Sequence, residues 1–259
     1  MVVADFVLES APMKFSFVLL TWNRFKFLEK CLEALIASID RPEDCEIIVM
    51  DNGSTDETPA VLQRYKASQL VKVVTRKKNY GLEAYKKLFA LVQGEYIVVV
   101  DDDVLEFPRP LDSIFTDYML AFPDYGFLGL NVVQNELTNG AKPGPDQYVE
   151  DIRGEKTVER GPTGGWCACF RRSDYRKLWL RLRFSRLNMK HSEDGFLAVN
   201  LKKKLGLHSG IIREAVCFHA TGPEYARQYG HLDREIQKYA ISGLPSFVAA
   251  YKKYERPPK

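Results

Sequence analysis

Between Phe15 and Val100 the apolar residues switch back and forth between two periods, and this alternation limits the fold more than any other feature of the chain. FSFVLLT, from Phe15 to Thr21, is a continuous apolar run of strand length. Phe27, Leu28, Cys31, Leu32, Leu35, Ile36 and Ile39 then recur at helical spacing. CEIIVM, VKVVT and YIVVV are three more strand-sized runs. Between them lie a helix opened by Thr58-Pro59 and running through Tyr65, and another carrying Leu82, Tyr85, Leu88, Phe89 and Val92 and closed by Gly94. The order β-α-β-α-β-α-β predicts an α/β fold, a mostly parallel sheet with helices on both faces. Ligands of such sheets sit beyond the carboxyl ends of the strands. Here those ends carry Thr21-Trp22-Asn23, Asp51-Asn52-Gly53 and Asp101-Asp102-Asp103.

Three adjacent carboxylates repel one another, so either the cluster is well solvated or a cation is expected among them. No glycine-rich phosphate cradle follows the first strand. TWNRFKFLEK holds neither G-x-G-x-x-G nor G-x-x-x-x-G-K-[ST], which argues against a dinucleotide-binding dehydrogenase or a P-loop enzyme. The charge of a phosphorylated ligand must then be met otherwise. Mn2+ or Mg2+, which prefers carboxylate oxygen and substrate phosphate, fits the aspartates.

The 259 residues are 46% hydrophobic and 27% charged, enough to build a real core in one large domain or two small ones. A net charge of +3 does not by itself imply nucleic acid. The five cysteines (Cys31, Cys45, Cys167, Cys169 and Cys217) are odd in number and include no C-x-x-C pair, so neither a disulfide framework nor a zinc ribbon is expected. The longest apolar runs are strand-sized, which predicts no transmembrane segment. The first residues carry acids and no basic n-region, which predicts no signal peptide. The expected location is cytoplasmic.

TWNR, IIVMDNGSTDET, NYGLEAY, YIVVVDDD, GGWCACFRRSDY, HSEDGFL and CFHATGP follow one another from Lys14 to Gly222. In this order they resemble the family-2 glycosyltransferases of the GT-A fold. DNGSTDET followed fifty residues later by a strand ending in D-x-D is the specific pairing. The resemblance implies a nucleoside-diphosphate sugar donor (a UDP-sugar favoured), a divalent metal, an acceptor hydroxyl and inversion at the anomeric carbon. It implies that Thr21, Trp22 and Asn23 line the nucleotide, that Asp51 bonds the base, and that Asn79 and Gly81 line the same pocket. Asp101 and Asp102 are assigned to the donor and Asp103 to direct metal contact, with the triple aspartate leaving that register open. His219 matches a late metal ligand, Asp194 matches the catalytic base with Glu193 as the next candidate, and Gly165 and Trp166 fall where the acceptor binds. Two departures, Leu20 where proline is common and Trp22 where tyrosine is commoner, leave the base unidentified.

The same reading divides the chain into an extension (1–13), a nucleotide-sugar-binding half (14–105), an acceptor-binding and catalytic half (106–230) and a helical tail (231–259). Residues 135–161, rich in Gly, Pro, Asn and charge, read as a long loop or lid. RRSDYRKLWLRLRFSR, from Arg171 to Arg186, sets seven basic residues against the single acid Asp174. It reads either as a solvated helix face or as contact with an anionic acceptor, a nucleic acid or an anionic membrane surface. A nucleotide-sugar-binding protein without catalysis is the competing function, and the retained Asp103, Asp194 and His219 argue against it.

Overall fold

In the computed structural model, which describes residues 13–138 and 142–255, the apolar runs pair into one sheet. Strand β1 (Phe15–Thr21) is followed by α1 (Phe25–Ser38), β2 (Cys45–Asp51), α2 (Thr58–Gln63), β3 (Val71–Thr75), α3 (Ala84–Leu88) and β4 (Tyr96–Val100). These four strands are parallel, in the spatial order β3-β2-β1-β4. β1 and β2 are buried along almost their whole length, which is why their sequences run apolar without alternation. The exceptions are satisfied. Ser16 donates to Glu46 at 2.5 Å, and Lys72 closes the other Glu46 oxygen at 2.6 Å.

The second half extends the same sheet with changed polarity. It comprises β5 (Val104–Glu106), α4 (Leu111–Ala121), β6 (Tyr125–Val132), β7 (Val149–Arg153), β8 (Lys156–Arg160), β9 (Cys167–Arg171), α5 (Arg172–Phe184), α6 (Glu193–Leu205), β10 (His208–His219), α7 (Pro223–Gln228), α8 (Leu232–Ile241) and α9 (Pro245–Lys252). β9 lies antiparallel between β4 and β6, β10 is parallel to β6, and β8 and β7 complete the edge. Helices cover both faces. One layer packs Leu28, Leu32 and Phe115 against the sheet, and the other packs Tyr85, Leu178 and Leu197 against its back.

Three expectations are revised. α2 stops at Gln63 and α3 at Leu88, both earlier than the apolar periodicity suggests. Residues 135–161 are not simply a loop, because β7 and β8 form a hairpin with Arg153 opposite Lys156. Glycine at the first turn position, Gly154 with φ of 62°, suits a two-residue hairpin. Charged residues at alternate places on an edge hairpin had disguised it as a loop. The expected N-terminal extension, Met13 apart, and the final residues 256–259 lie outside the described residues.

Candidate functional site

Register brings the strand ends to one edge. Thr21 pairs with Asp51, Asp51 with Thr75, and Leu19 with Val100, so the next residues of all four strands emerge together. β9 enters the sheet from that edge with Cys167 opposite Val100, and the Asp101 amide donates to the Trp166 carbonyl at 2.9 Å. β10 ends there as well, and its pairing with β5 sets His219 opposite Val104, next to Asp103.

Asp101, Asp103 and His219 place one potential ligand atom each within 4.8 Å of one another. His219 Nε2 lies 3.0 Å from Asp103 and 3.6 Å from Asp101. Two carboxylates and an imidazole, from segments more than a hundred residues apart, form a donor set that suits Mn2+ or Mg2+. Partial burial, with 39% of the side chain still exposed, raises Asp101 to about 6, opposed by His219 and reinforced by Asp103 and Asp102. Burial alone would raise Asp103 too, but Arg24 and His219 hold it well below the usual carboxylate range. Burial would lower His219, yet Asp103 and Asp101 raise it above its ordinary value.

Asp102 turns the other way. Arg24 spans it and its neighbour, bonding Asp102 at 2.6 Å and Asp103 at 2.5 Å. Asp101 and Asp103 thus both approach His219, while Asp102 bonds Arg24 and not the histidine. Arg24 is a buried cation that pattern reading did not single out, although it stands in the quoted TWNR segment. Burial opposes its charge, but Asp102, Asp103 and Glu235 more than offset this and raise its pKa well above the ordinary value.

Glu235 comes from α8. Its carboxylate meets Arg24 at 3.3 Å, Arg234 at 2.5 Å and Lys238 at 2.5 Å. Burial would raise Glu235, but Lys238, Arg24 and Arg234 together hold it far below the usual range. Arg234 also donates to the Trp22 carbonyl at 2.8 Å and lies over the Trp22 ring, 5.2 Å from its centroid. The helical tail therefore reaches the first strand end. The spacing of Arg234, Glu235 and Lys238 was the only local signal, and it resembles that of any charged helix.

The pocket expected to take the nucleotide is organised by a residue that pattern reading passed over. Asn52, buried, donates to Asn79 at 2.9 Å and to the Gly81 carbonyl at 3.1 Å, and accepts from the Tyr80 amide at 3.1 Å. Asp51 is buried and accepts from the Ser54 amide at 2.9 Å, the turn bond that Asp-Asn-Gly makes readily. Asn23 holds a positive φ of 52° and ties the first strand end to the second by accepting from the Thr55 amide at 2.7 Å. Thr21 is buried between β2 and the aspartates.

Asp194 sits in the first turn of α6. It accepts from the Gly165 amide at 3.0 Å, from the Gly195 amide at 2.6 Å and from the Ser192 hydroxyl. These donors fix its orientation. A Cβ on residue 165 would stand 3.1 Å from the Asp194 Cβ, so glycine there permits the approach. Gly165→Ala is expected to lower turnover roughly tenfold through a sub-ångström displacement of Asp194. Parallel kcat and donor-affinity measurements check this, the affinity remaining unchanged.

Glu193 points into the interior, where burial, with Asp194 beside it, raises its pKa well above the ordinary value of 4.5. Burial thus disfavours at Glu193 the charged form that a base requires, whereas Asp194 is the acid held by the surrounding donors. A raised acid favours folding below the unfolded value of 4.5 and costs stability as pH rises above it. Glu193→Gln should therefore raise the melting temperature at pH 7.5, with the gain shrinking as melts approach pH 4.5.

Trp166, expected near the acceptor, is 4% exposed. Its indole N–H donates to the Leu130 carbonyl at 2.9 Å and its ring packs on His219. Its contribution here is to back the His219 imidazole. In the basic stretch, Arg171 and Arg172 turn inward to bond the carbonyls of Met119, Tyr125 and Val92, whereas the later cations remain on the outer face of α5.

Comparison with known proteins follows the same lines. Residues 16–179 match the model of Glycosyl transferase family 2. Over 94 residues the chain is 35% identical to the poly(ribitol-phosphate) beta-glucosyltransferase of Bacillus spizizenii, covering 35% of this chain but only 15% of that protein. Over 153 residues it is 27% identical to the validoxylamine A glucosyltransferase of Streptomyces hygroscopicus subsp. limoneus, covering 58% of this chain and 33% of the relative. The matches thus span a minor part of these relatives' length. Among solved structures the fold is similar to that of mannosyltransferase PcManGT from Pyrobaculum calidifontis in complex with GDP-Man and Mn2+, with a TM-score of 0.60, 17% identity and coverage of 95% of this chain and 76% of that one. It is also similar to S. aureus TarS 1-349 in complex with UDP-GlcNAc, with a TM-score of 0.60, 15% identity and coverage of 94% and 72%. No helix among the described residues is long and apolar enough to cross a membrane. With the family model spanning more than half of its residues, and with the GT-A fold around them, the chain belongs to glycosyl transferase family 2.

Proposed function

We propose that the chain transfers a sugar from a nucleoside-diphosphate sugar to an acceptor hydroxyl, with inversion at the anomeric carbon. The observation that carries this reading is the separation of two kinds of carboxylate at one sheet edge. Asp101 and Asp103 converge with His219, while Asp194 is presented from α6 by the Gly165 amide. The first group suits a cation and the second suits a base.

In this mechanism Thr21, Trp22, Asn23 and Asp51 receive the nucleoside, with Asn52 holding Asn79 and Gly81 in place around it. Asp101, Asp103 and His219 would hold Mn2+ or Mg2+, which when bound supplies Lewis-acid stabilisation of the departing diphosphate. Arg24 neutralises Asp102 and the far oxygen of Asp103, so the three-aspartate run stays close-packed without mutual expulsion. Asp194 accepts the proton of the acceptor hydroxyl as that oxygen attacks the anomeric carbon. Attack opposite the leaving diphosphate, in a single displacement, inverts the centre.

The donors bound by the structural neighbours, UDP-GlcNAc and GDP-Man, define the panel for the test. Each UDP- and GDP-sugar is incubated with the protein and Mn2+, and slow donor hydrolysis without acceptor is scored. Hydrolysis of one donor above all others, with UDP-sugars tried first, supports the reading. Failure of every nucleotide sugar both to bind and to hydrolyse would overturn it.

A further inference from the structure

Helix α5 presents two faces of unlike character. Its inner face packs Tyr175, Leu178 and Leu182 into the core beside α3 and α6. Its outer face carries Leu180 and Phe184, one turn apart and 65% and 82% exposed. Arg176, Lys177, Arg181 and Arg183 surround this pair, all exposed. The helix's one acid, Asp174, is buried and paired with Lys177 at 2.8 Å, so it offers the outer face little negative charge. Among the described residues the side chains of Arg176 and Arg181 make no hydrogen bond or ion pair. Exposed Lys202, Lys203 and Lys204 of α6, which packs against α5, add cations and no acid.

Neither half of this pattern is unusual alone. A basic helix face is ordinarily solvated, and single exposed apolar residues are common. Their combination is more specific. A leucine and a phenylalanine stand mostly exposed among four cations, of which Lys177 alone pairs with an acid among the described residues, on a helix already anchored by its opposite face. Such a surface gains from a partner that offers anionic groups in a layer directly above hydrocarbon. A nucleic acid backbone would satisfy the arginines, but it offers Leu180 and Phe184 nothing comparable.

We propose that the outer face of α5 docks on an anionic phospholipid surface, with Phe184 and Leu180 entering the acyl boundary and the flanking arginines meeting lipid phosphates. The docking end of the helix is tied to the active-site rim. Lys86 bonds the Ser185 carbonyl at 2.5 Å, and the Leu187 amide donates to Glu83 at 2.6 Å, in the turn that begins at Gly81. Residues 185–192 then lead into the turn that carries Asp194. Docking would thus set the site beside the membrane plane. The inference rests on the helix alone and not on the transferase reading, so either can fail without the other.

The test is co-sedimentation of the full chain with phosphatidylcholine vesicles and with vesicles in which a third of the lipid is phosphatidylglycerol. Binding to the second and not the first is expected, and it should weaken as salt rises. Arg181→Glu with Arg183→Glu should reduce binding on the order of tenfold or more. Leu180→Ser with Phe184→Ser should reduce it even at low salt. Both pairs are exposed, and unchanged melting curves confirm that the fold is intact. Equal recovery with both vesicle types, or no recovery with either, would overturn the proposal. So would vesicle binding that both double variants leave intact, or capture of duplex DNA with no vesicle binding.

Discussion

Asp194→Asn is expected to lower turnover by about 10²–10⁴-fold, the range typical of a lost general base, while donor affinity stays near that of the unaltered chain. The substitution keeps size and shape. It also keeps one oxygen, which can go on accepting either from the Gly165 amide or from the Gly195 amide. What it removes is the capacity to take a proton. Single-turnover transfer at saturating donor, set beside calorimetric donor binding, separates the two effects. If the asparagine variant kept more than about half of normal kcat, Asp194 would leave the mechanism. Glu193 would be a poor replacement, because it is buried and burial disfavours its charged form.

The second large effect concerns the aspartates, and it divides them. Asp103→Ala should abolish transfer and metal-dependent nucleoside-diphosphate binding, and it should also destabilise the fold. Its carboxylate is one of three that neutralise the buried Arg24. Removing one partner of a buried ion pair costs up to about 3–5 kcal/mol, and here Asp102 and Glu235 remain to reduce that figure. Asp101→Ala should be as harmful to activity but nearly neutral in stability, since Asp101 is 39% exposed in its side chain and has no bond to Arg24. Urea melts of the two variants, read against calorimetry of UDP binding with Mn2+ and with chelator, test the pairing. Equal stability losses would contradict the role assigned to Arg24. Equal nucleotide affinity with metal and with chelator in the unaltered chain would contradict the cation site.

The legible parts of this structure are those whose cause is local. Strands β1 to β4 and the helices between them follow from residues within one window of each other, and the face predicted from Phe27, Leu28, Cys31, Leu32, Leu35, Ile36 and Ile39 is buried except at Ile36, which is half-buried. The carboxylates at the strand ends follow from strand length alone. Asp194 and His219 were reached only through resemblance, because an acid at a helix start and a histidine at a strand end are ordinary features by themselves. Arg24 shows what no window can contain. Its partners lie 78 and 79 residues away and, at Glu235, in the last tenth of the chain. Nothing in WNRF distinguishes a buried clamp from a solvated loop arginine. Trp166, placed near the acceptor by resemblance, is buried against His219, a contact that its own segment does not announce. The β7–β8 hairpin was hidden for a third reason. An edge pair with both faces partly wet needs no apolar stripe, so its composition is that of a loop.

The clamp formed by Arg24 and Glu235 bears on how donor preference can be inherited. Nearly all the segments proposed to receive the nucleotide lie within the first hundred residues, and exchange of that block between relatives looks like a simple way to trade one sugar nucleotide for another. Yet Trp22 is covered by Arg234, and Arg24 is balanced in part by Glu235, both supplied by α8. A grafted first block would arrive without the helix that completes it. Positions 22, 24, 234 and 235 must therefore travel as one unit of recombination, so a chimaera that exchanges α8 together with the first block should recover donor binding lost by one that does not.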